Sequence, residues 1–444
     1  MAITETKTKY GQIHGVQKDG YTVFRGVPYA KPPVGEKRFC PPEEPECWEG
    51  VYEADHFGCV CPQTEHEPDS FYGKEFYLDP EFGMKQSEDC LYLNIWTPAN
   101  TVDEKLPVAF WIHGGAFMHG FSHESEFDGA AYCERGVILV TINYRLGAFG
   151  FLAHPWLSEE SGVGRSGNYA ILDQIAALKW VKENIAAFGG DPENITVFGQ
   201  SAGCMSVQTL ISSPLTENWI SKAIFQSAGG YDTGLNRDML LSEAEMIGQE
   251  FVELSGAKSL EELRAIPAEK IVELQEEFDR VNPSRMLSFV PNIDNHLLTC
   301  GYNDAVTEGK IKDIPYMLGS TADDIGVFPE MKEKGEHGGI YKGCINWSLA
   351  LEKLGRKPAY VYYFTRALLG DDAGAFHSSE LWYMFGTLGR SWCPKTEGDY
   401  ALSKEMMDDW TNFMKTGNPN AEGKDDWKPC TKDDPYVQVL DVRK

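Results

Sequence analysis

Long apolar runs are missing from this chain. Stretches such as Val137–Val140 fall far short of the roughly 20 residues a bilayer-spanning helix needs, so no membrane segment is expected. Positive charge is scarce as well: 40 Lys and Arg face 67 Asp and Glu, for a net charge of −27. Nucleic-acid binding rests on neutralising phosphates, so this balance argues against it and fits a soluble acidic surface. No unit of about 20–50 residues repeats, which excludes a solenoid or a propeller. The opening MAITETKTKYGQIHG has no apolar stretch behind a basic head. No signal peptide is therefore expected, and the location expected is the cytoplasm. The 11 cysteines are odd in number and lack framework spacing, as suits a reducing compartment. Cys59 and Cys61 form a C-x-C with no second pair at zinc spacing, and they read as free thiols.

What is present is alternation. Short runs rich in β-branched and aromatic residues read as buried strands: Val108–Ile112, Val137–Ile142, Ile195–Phe198, Ala223–Phe225, Tyr316–Leu318 and Tyr360–Phe364. Between them lie helical patterns, the clearest over Ile171–Ala187, where Ile171, Ile175, Leu178, Val181 and Ile185 form one stripe. Strand and helix in turn predict an α/β fold, a mostly parallel sheet flanked by helices. Residues 232–290 differ. Ser242-x-x-Glu245 and Ser259-x-x-Glu262 read as capping boxes, with stripes at Ile247, Phe251, Leu254 and at Ile271, Leu274, Phe278. The expectation is one domain over 1–444, with a helical cap-like insertion at about 232–313 over the active site and a further helical or loop segment at about 329–355.

One short motif raises chemistry. FGQSAG at 198–203 places Ser201 between Gly199 and Gly203, after the strand ITVF and before a helical AGCMSVQTLISS. A G-x-S-x-G at a strand-to-helix turn lifts the hydroxyl above the sheet, and the helix N-terminus favours an oxyanion. A nucleophilic serine needs oxyanion donors, a base and an orienting acid. HGGAF at 113–117 follows the strand VAFWI, and its small residues leave backbone N–H groups open. Gly115, Ala116 and Ala202 are the expected donors. His113, His119 and His123 cluster nearby, but no carboxylate or cysteine pattern supports a metal. Three histidines follow Ser201: His296, His337 and His377. His377 sits after the strand YVYYF and a short loop, where it can reach the carboxyl edge of the sheet. The acid is expected after PYMLG, in STADDIGVF, as Asp323 or Asp324; spacing does not choose between them.

Several long segments occur together and in order: FRGVPYAKPPVGEKRF at 24–39, SEDCLYLNIW at 87–96, NYRLGAFGFL, GNYAILDQIAALKWVKENIAAFGGDPENITVFGQSAG and GAFHSSELWYMFG. Through them the chain resembles the type-B carboxylesterases of the α/β-hydrolase superfamily, a group that includes cholinesterases and bacterial esterases. The resemblance implies Ser201 as nucleophile, His377 as general base and acid, Asp324 as the orienting acid, and Gly115, Ala116 and Ala202 as the oxyanion trio. It implies buried ion pairs Arg38–Glu88 and Arg145–Asp173. Cys61 and Cys90 match a disulfide of secreted relatives, which a reducing compartment leaves as thiols. Residue 200 departs from the pattern: it is Gln where most relatives carry Glu. The chain is also shorter than the usual member, with 255–288 the place for the missing residues.

These readings predict a serine carboxylesterase that hydrolyses esters of small to medium acyl chain through an acyl-enzyme, with no metal or organic cofactor. Gln200 and Glu380 are expected behind the catalytic residues, and Phe117, Phe121 and Trp382 along the substrate pocket. The runner-up is an esterase for aromatic, feruloyl-type plant esters. A reading of another class is a non-catalytic binding protein on the same fold, like the adhesion members, which lack the serine. The expected partner is a small ester, with neither nucleic acid nor membrane.

Overall fold

The computed structural model describes residues 2–79, 82–283 and 287–443. Fourteen strands occur among the described residues: β1 (Glu5–Lys7), β2 (Gln12–Gln17), β3 (Thr22–Pro28), β4 (Val51–Ala54), β5 (Tyr92–Thr97), β6 (Leu106–Ile112), β7 (Ile138–Ile142), β8 (Gly190–Gln200), β9 (Lys222–Gln226), β10 (Met239–Leu240), β11 (Asn292–Ile293), β12 (Tyr316–Thr321), β13 (Tyr360–Phe364) and β14 (Gln438–Leu440). Twelve form one sheet in the order β1-β2-β3-β5-β7-β6-β8-β9-β12-β13-β14, with β4 beside β2. From β7 to β14 every neighbour is parallel; from β1 through β5 to β7 the path is antiparallel. Each strand read from the sequence is present, most extended by a residue or more.

Strand β6 shows why the apolar runs are continuous. Val108, Phe110 and Ile112 face one core, Ala109 and Trp111 the other, and all five are buried. A sheet covered on both faces needs apolar residues at every position. On the first face lie the helices Tyr169–Asn184 and Ala202–Ser212, bringing Ile171, Leu178, Val181, Val207 and Leu210. On the second lies Glu397–Thr416, with Met406, Trp410 and Phe413. The stripe expected to run to Ala187 leaves the α-helix at Asn184 and ends as a 3-10 turn over Ile185–Phe188, closed by Gly189 at φ 80°.

The predicted ion pairs are formed. Arg145 grips Asp173 with two bonds, Nε to Oδ2 at 2.8 Å and Nη2 to Oδ1 at 2.7 Å, both residues being buried. Arg38 Nε donates to Glu88 Oε1 at 2.6 Å, and its Nη1 reaches the Arg264 carbonyl at 3.0 Å. Cys61 and Cys90 are free and buried, with their thiols in hydrogen-bond contact.

Residues 232–313 hold the helices Leu241–Ser255, Leu260–Ala265, Ala268–Val281 and Tyr302–Thr307, together with the β10–β11 pair. Phe251, Phe278 and Phe289 pack edge-on among them, with Phe251 5.8 Å from Phe278 and 5.3 Å from Phe289 between ring centroids. Of the two expected capping boxes, the first is not formed, because the helix begins two residues early and Leu240, with no side-chain acceptor, takes the cap position. The second is half formed. Ser259 Oγ accepts the Glu262 N–H at 3.2 Å, but the Glu262 carboxylate turns to the Lys258 N–H at 2.7 Å. Helices Pro329–Glu333 and Gly339–Lys353 occupy the later segment. No helix among the described residues is long and apolar enough to cross a membrane.

Candidate active site

The site lies at the carboxyl end of the parallel strands, where β8 turns into the helix Ala202–Ser212. Ser201 occupies the turn with φ 56° and ψ −125°, a strained conformation for a residue with a side chain. The flanking glycines make room for it. A Cβ on Gly203 would sit 2.0 Å from the Ile112 carbonyl oxygen, and one on Gly199 2.6 Å from Gly203 itself. Only bare backbone lets helix, β6 and β8 meet so closely.

Behind β6 the chain turns sharply. Gly115 has φ 99° and Ala116 φ 56°. Their N–H groups bond no backbone carbonyl among the described residues. The Ala202 N–H heads its helix and so has no intrahelical acceptor. Gly115, Ala116 and Ser201 line one cavity of about 290 Å³, also bordered by His377, Gln200, Ser378, Ile325 and Leu381.

Of the two acids left open by spacing, Asp324 is the one in contact with His377. His377 Nδ1 lies 2.6 Å from Asp324 Oδ1. Asp324 also accepts the N–H of Thr321 at 3.0 Å and of Ile325 at 2.9 Å. Burial works to raise its pKa, but the His377 imidazole and these donors outweigh it, and the carboxyl is held below its usual range. Asp323 points elsewhere. It accepts the Ala375 N–H at 2.9 Å and pairs with Lys332, bracing the loop that carries His377. The other two candidate histidines do not line the cavity: His296 is exposed, and His337 stacks on Tyr341 at 3.9 Å.

Gln200 contacts this group, whereas Glu380 acts on it through charge alone. Gln200 Nε2 is 3.1 Å from His377 Nε2. Glu380 is fully buried, and neither oxygen makes a well-formed hydrogen bond among the described residues, although the Gln226 side chain faces it. Burial, reinforced by the charge of Asp324, pushes its carboxyl up to about 7. His113, His119 and His123 pack on Tyr144, His66 and Phe57 respectively.

The pocket wall differs from expectation. Phe117, Phe121 and Trp382 are buried one layer back and do not line the cavity. Phe117 packs on Phe151, Phe121 on Tyr77, and Trp382 stacks on Phe76 at 5.5 Å. The aromatic wall is Tyr72, Phe76, Tyr77 and Phe127, with His66 and His119 beside it. Part of it comes from the short helix Phe71–Phe76, which sequence reasoning passed over. No described residue of 232–313 lines the cavity; from that segment Gln275 Oε1 accepts the Ala148 N–H at 2.8 Å. Two further lining residues were missed, Glu124 and Glu126, a pair of carboxylates at alternate positions in the polar middle of FSHESEF.

A model of the carboxylesterase family matches residues 3–344 and 343–444. The chain belongs to the carboxylesterase family. Among curated proteins it is 33% identical to the para-nitrobenzyl esterase of Bacillus subtilis (strain 168), over 98% of this chain and 94% of that one. It is also 33% identical to the fumonisin B1 esterase of Sphingopyxis macrogoltabida, over 95% and 83%. Among solved structures, a thermophilic PNB esterase superposes with a TM-score of 0.86 at 32% identity, covering 99% of this chain and 96% of that one. A Geobacillus stearothermophilus carboxylesterase does so at 0.83, with 32% identity and the same coverage. The fold is thus the α/β-hydrolase fold of these esterases, and the protein is a serine carboxylesterase, a hydrolase of carboxylic esters.

Proposed function

We propose that this carboxylesterase acts through Ser201, His377 and Asp324 on esters of small to medium acyl chain. The contact that carries the reading is His377 Nδ1 to Asp324 Oδ1, 2.6 Å, beside the cavity into which the strained Ser201 turn opens. His377 takes the hydroxyl proton on Nε2 as Ser201 attacks the ester carbonyl. The N–H groups of Gly115, Ala116 and Ala202 hold the oxyanion. The imidazolium then protonates the leaving alcohol, and water repeats the sequence on the acyl-enzyme. Asp324 fixes the tautomer and stabilises the imidazolium. Gln200 positions His377 through its contact with Nε2, and Glu380 lies buried near the pair. The reading needs no metal or organic cofactor.

The test is Ser201→Ala. Hydrolysis of p-nitrophenyl butyrate should fall by roughly 10⁴-fold or more while circular dichroism stays unchanged. Turnover retained in a folded, purified mutant would sink the assignment. The aromatic lining by Tyr72, Phe76, Tyr77 and Phe127 favours a second reading, a preference for aromatic esters of the feruloyl type. The same proposal treats 1–444 as one domain with inserted helices at 232–313 and 329–355, supported by a sheet whose path runs from β1 to β14. It places the protein in the cytoplasm, supported by cysteine number and spacing.

A further inference from the structure

Two histidines border the cavity that holds Ser201 and have no part in acyl transfer. His66 and His119 come from separate loops, and both are half-buried. Their ring centroids lie 4.8 Å apart, with the planes tilted by 42°. His119 is oriented by its own backbone surroundings. Its Nδ1 lies 3.2 Å from the Thr64 carbonyl oxygen, which only accepts, so Nδ1 carries the proton. Nε2 of the same ring is then bare, with its lone pair free. His66 is steadied by stacking on Tyr77, with centroids 4.9 Å apart and planes 24° apart. Among the described residues, His119 Nε2 and both nitrogens of His66 make no hydrogen bond. None of the three is shut off from solvent, in contrast to His113 Nε2 and His123 Nδ1.

Two open imidazoles at this spacing suit a metal ion. Imidazole nitrogen binds zinc at roughly 2.0–2.1 Å, and a four-coordinate ion then holds two ring centres roughly 5 Å apart. The pair already stands at 4.8 Å, so a rotation about χ2 of His66 is enough to aim one nitrogen at the ion that His119 Nε2 faces. A ring with one nitrogen on a carbonyl and the other open is the usual state of a metal-ligating histidine. Burial, and for His66 the neighbouring imidazole, disfavour the protonated rings, so protons compete little near neutral pH. No Lys or Arg lines the cavity to oppose a cation. Among the described residues no third His, Cys, Asp or Glu completes a ligand group with them. The remaining positions therefore belong to water, and the ion is exchangeable rather than structural. Imidazoles without thiolate select copper, nickel and zinc, with Cu²⁺ held tightest.

We propose that His66 and His119 together bind a divalent transition-metal ion of this group on the wall of the catalytic cavity, and that the hydrated ion obstructs ester binding. The cavity holds about 290 Å³, and two waters at roughly 30 Å³ each fill about a fifth of it before the ion is counted. The obstruction rests on the esterase reading of this cavity; the binding of the ion does not.

The experiment has two arms. In the first, Cu²⁺ is added to the wild type, and electron paramagnetic resonance should show coupling to two imidazole nitrogens. His66→Ala and His119→Ala should each leave one. In the second, Zn²⁺ is titrated calorimetrically into the same proteins while p-nitrophenyl butyrate hydrolysis is followed. Either substitution should weaken zinc binding by roughly tenfold or more, whereas the exposed His296→Ala should leave it unchanged. Zinc should raise KM in the wild type, and a chelator should reverse the effect. Copper coupled to fewer than two imidazole nitrogens in the wild type overturns the proposal whether or not the variants fold. So does zinc affinity that survives both cavity substitutions. Zinc bound through the pair with KM unmoved overturns the obstruction. Loss of all ester hydrolysis in the metal-free wild type would instead fail the esterase reading and leave the copper result to judge the site.

Discussion

Gln200 Nε2 stands 3.1 Å from His377 Nε2, the nitrogen that receives the serine proton in the proposed mechanism. An amide –NH₂ can only donate, so it suits an imidazole whose Nε2 is bare and whose Nδ1–H is given to Asp324. It supports the neutral base. A carboxylate at the same position would support the imidazolium instead.

Gln200→Glu should therefore raise the apparent pKa of the acidic limb of the kcat/KM profile by about one unit. Because the reactive form is the unprotonated imidazole, the mutant loses rate near pH 6 and recovers it near pH 9. A pH–rate profile checks this, and an unmoved limb would refute it.

Asp323 and Asp324 are adjacent but differ in every contact. Asp324→Asn should cost roughly 10⁴-fold in kcat by removing the acceptor that sets the His377 tautomer. Asp323→Asn loosens a loop brace and should stay within about tenfold. The reverse order in steady-state kinetics would reassign the acid.

Glu380 carries a burial cost that depends on pH. Its folded pKa, about 7, lies above the ordinary 4.5. Between these values the folded state keeps a proton that the unfolded state has lost, so stability falls as pH rises through that window. Glu380→Gln removes the effect. The mutant should melt a few degrees above wild type at pH 8 and lose most of that gain at pH 4.5. Calorimetry at the two pH values is the check.

Arg145 and Asp173 are wholly enclosed. Arg145→Ala strands a buried carboxylate and should cost roughly 3–5 kcal/mol in urea unfolding. Arg145→Met with Asp173→Leu removes both charges and should recover much of the loss. If the double mutant is no more stable than the single, the stranded charge is not the cause.

The parts of this protein that were legible are those where local sequence and global position coincide. ITVFGQSAG specifies a strand, a turn only glycine permits and a helix, all within one short segment. The buried pairs were legible only through resemblance, since nothing near Arg145 announces Asp173. The cavity wall was not legible. Tyr72, Phe76 and Tyr77 sit in the aromatic-rich FYGKEFY, but nothing in it points to Ser201, and tertiary packing alone sets their rings beside it. Phe117, Phe121 and Trp382 have the right chemistry and adjacent positions, but their side chains turn into the core. The Asp323–Asp324 choice depended on which way each side chain leaves the backbone, a matter of angles that spacing does not encode.

The contacts from His377 to Gln200 and Asp324 join residues 177 and 53 positions apart. The proposed nucleophile comes from the middle of the sheet, and its proposed base from a loop beyond β13, next to last in the strand order. A chain halted on the ribosome before β13 would display the serine without anything to activate it. Ester cleavage in this protein is therefore an all-or-nothing report that the distal half of the sheet has closed, and regain of activity after dilution from denaturant should follow that closure rather than the formation of the serine turn.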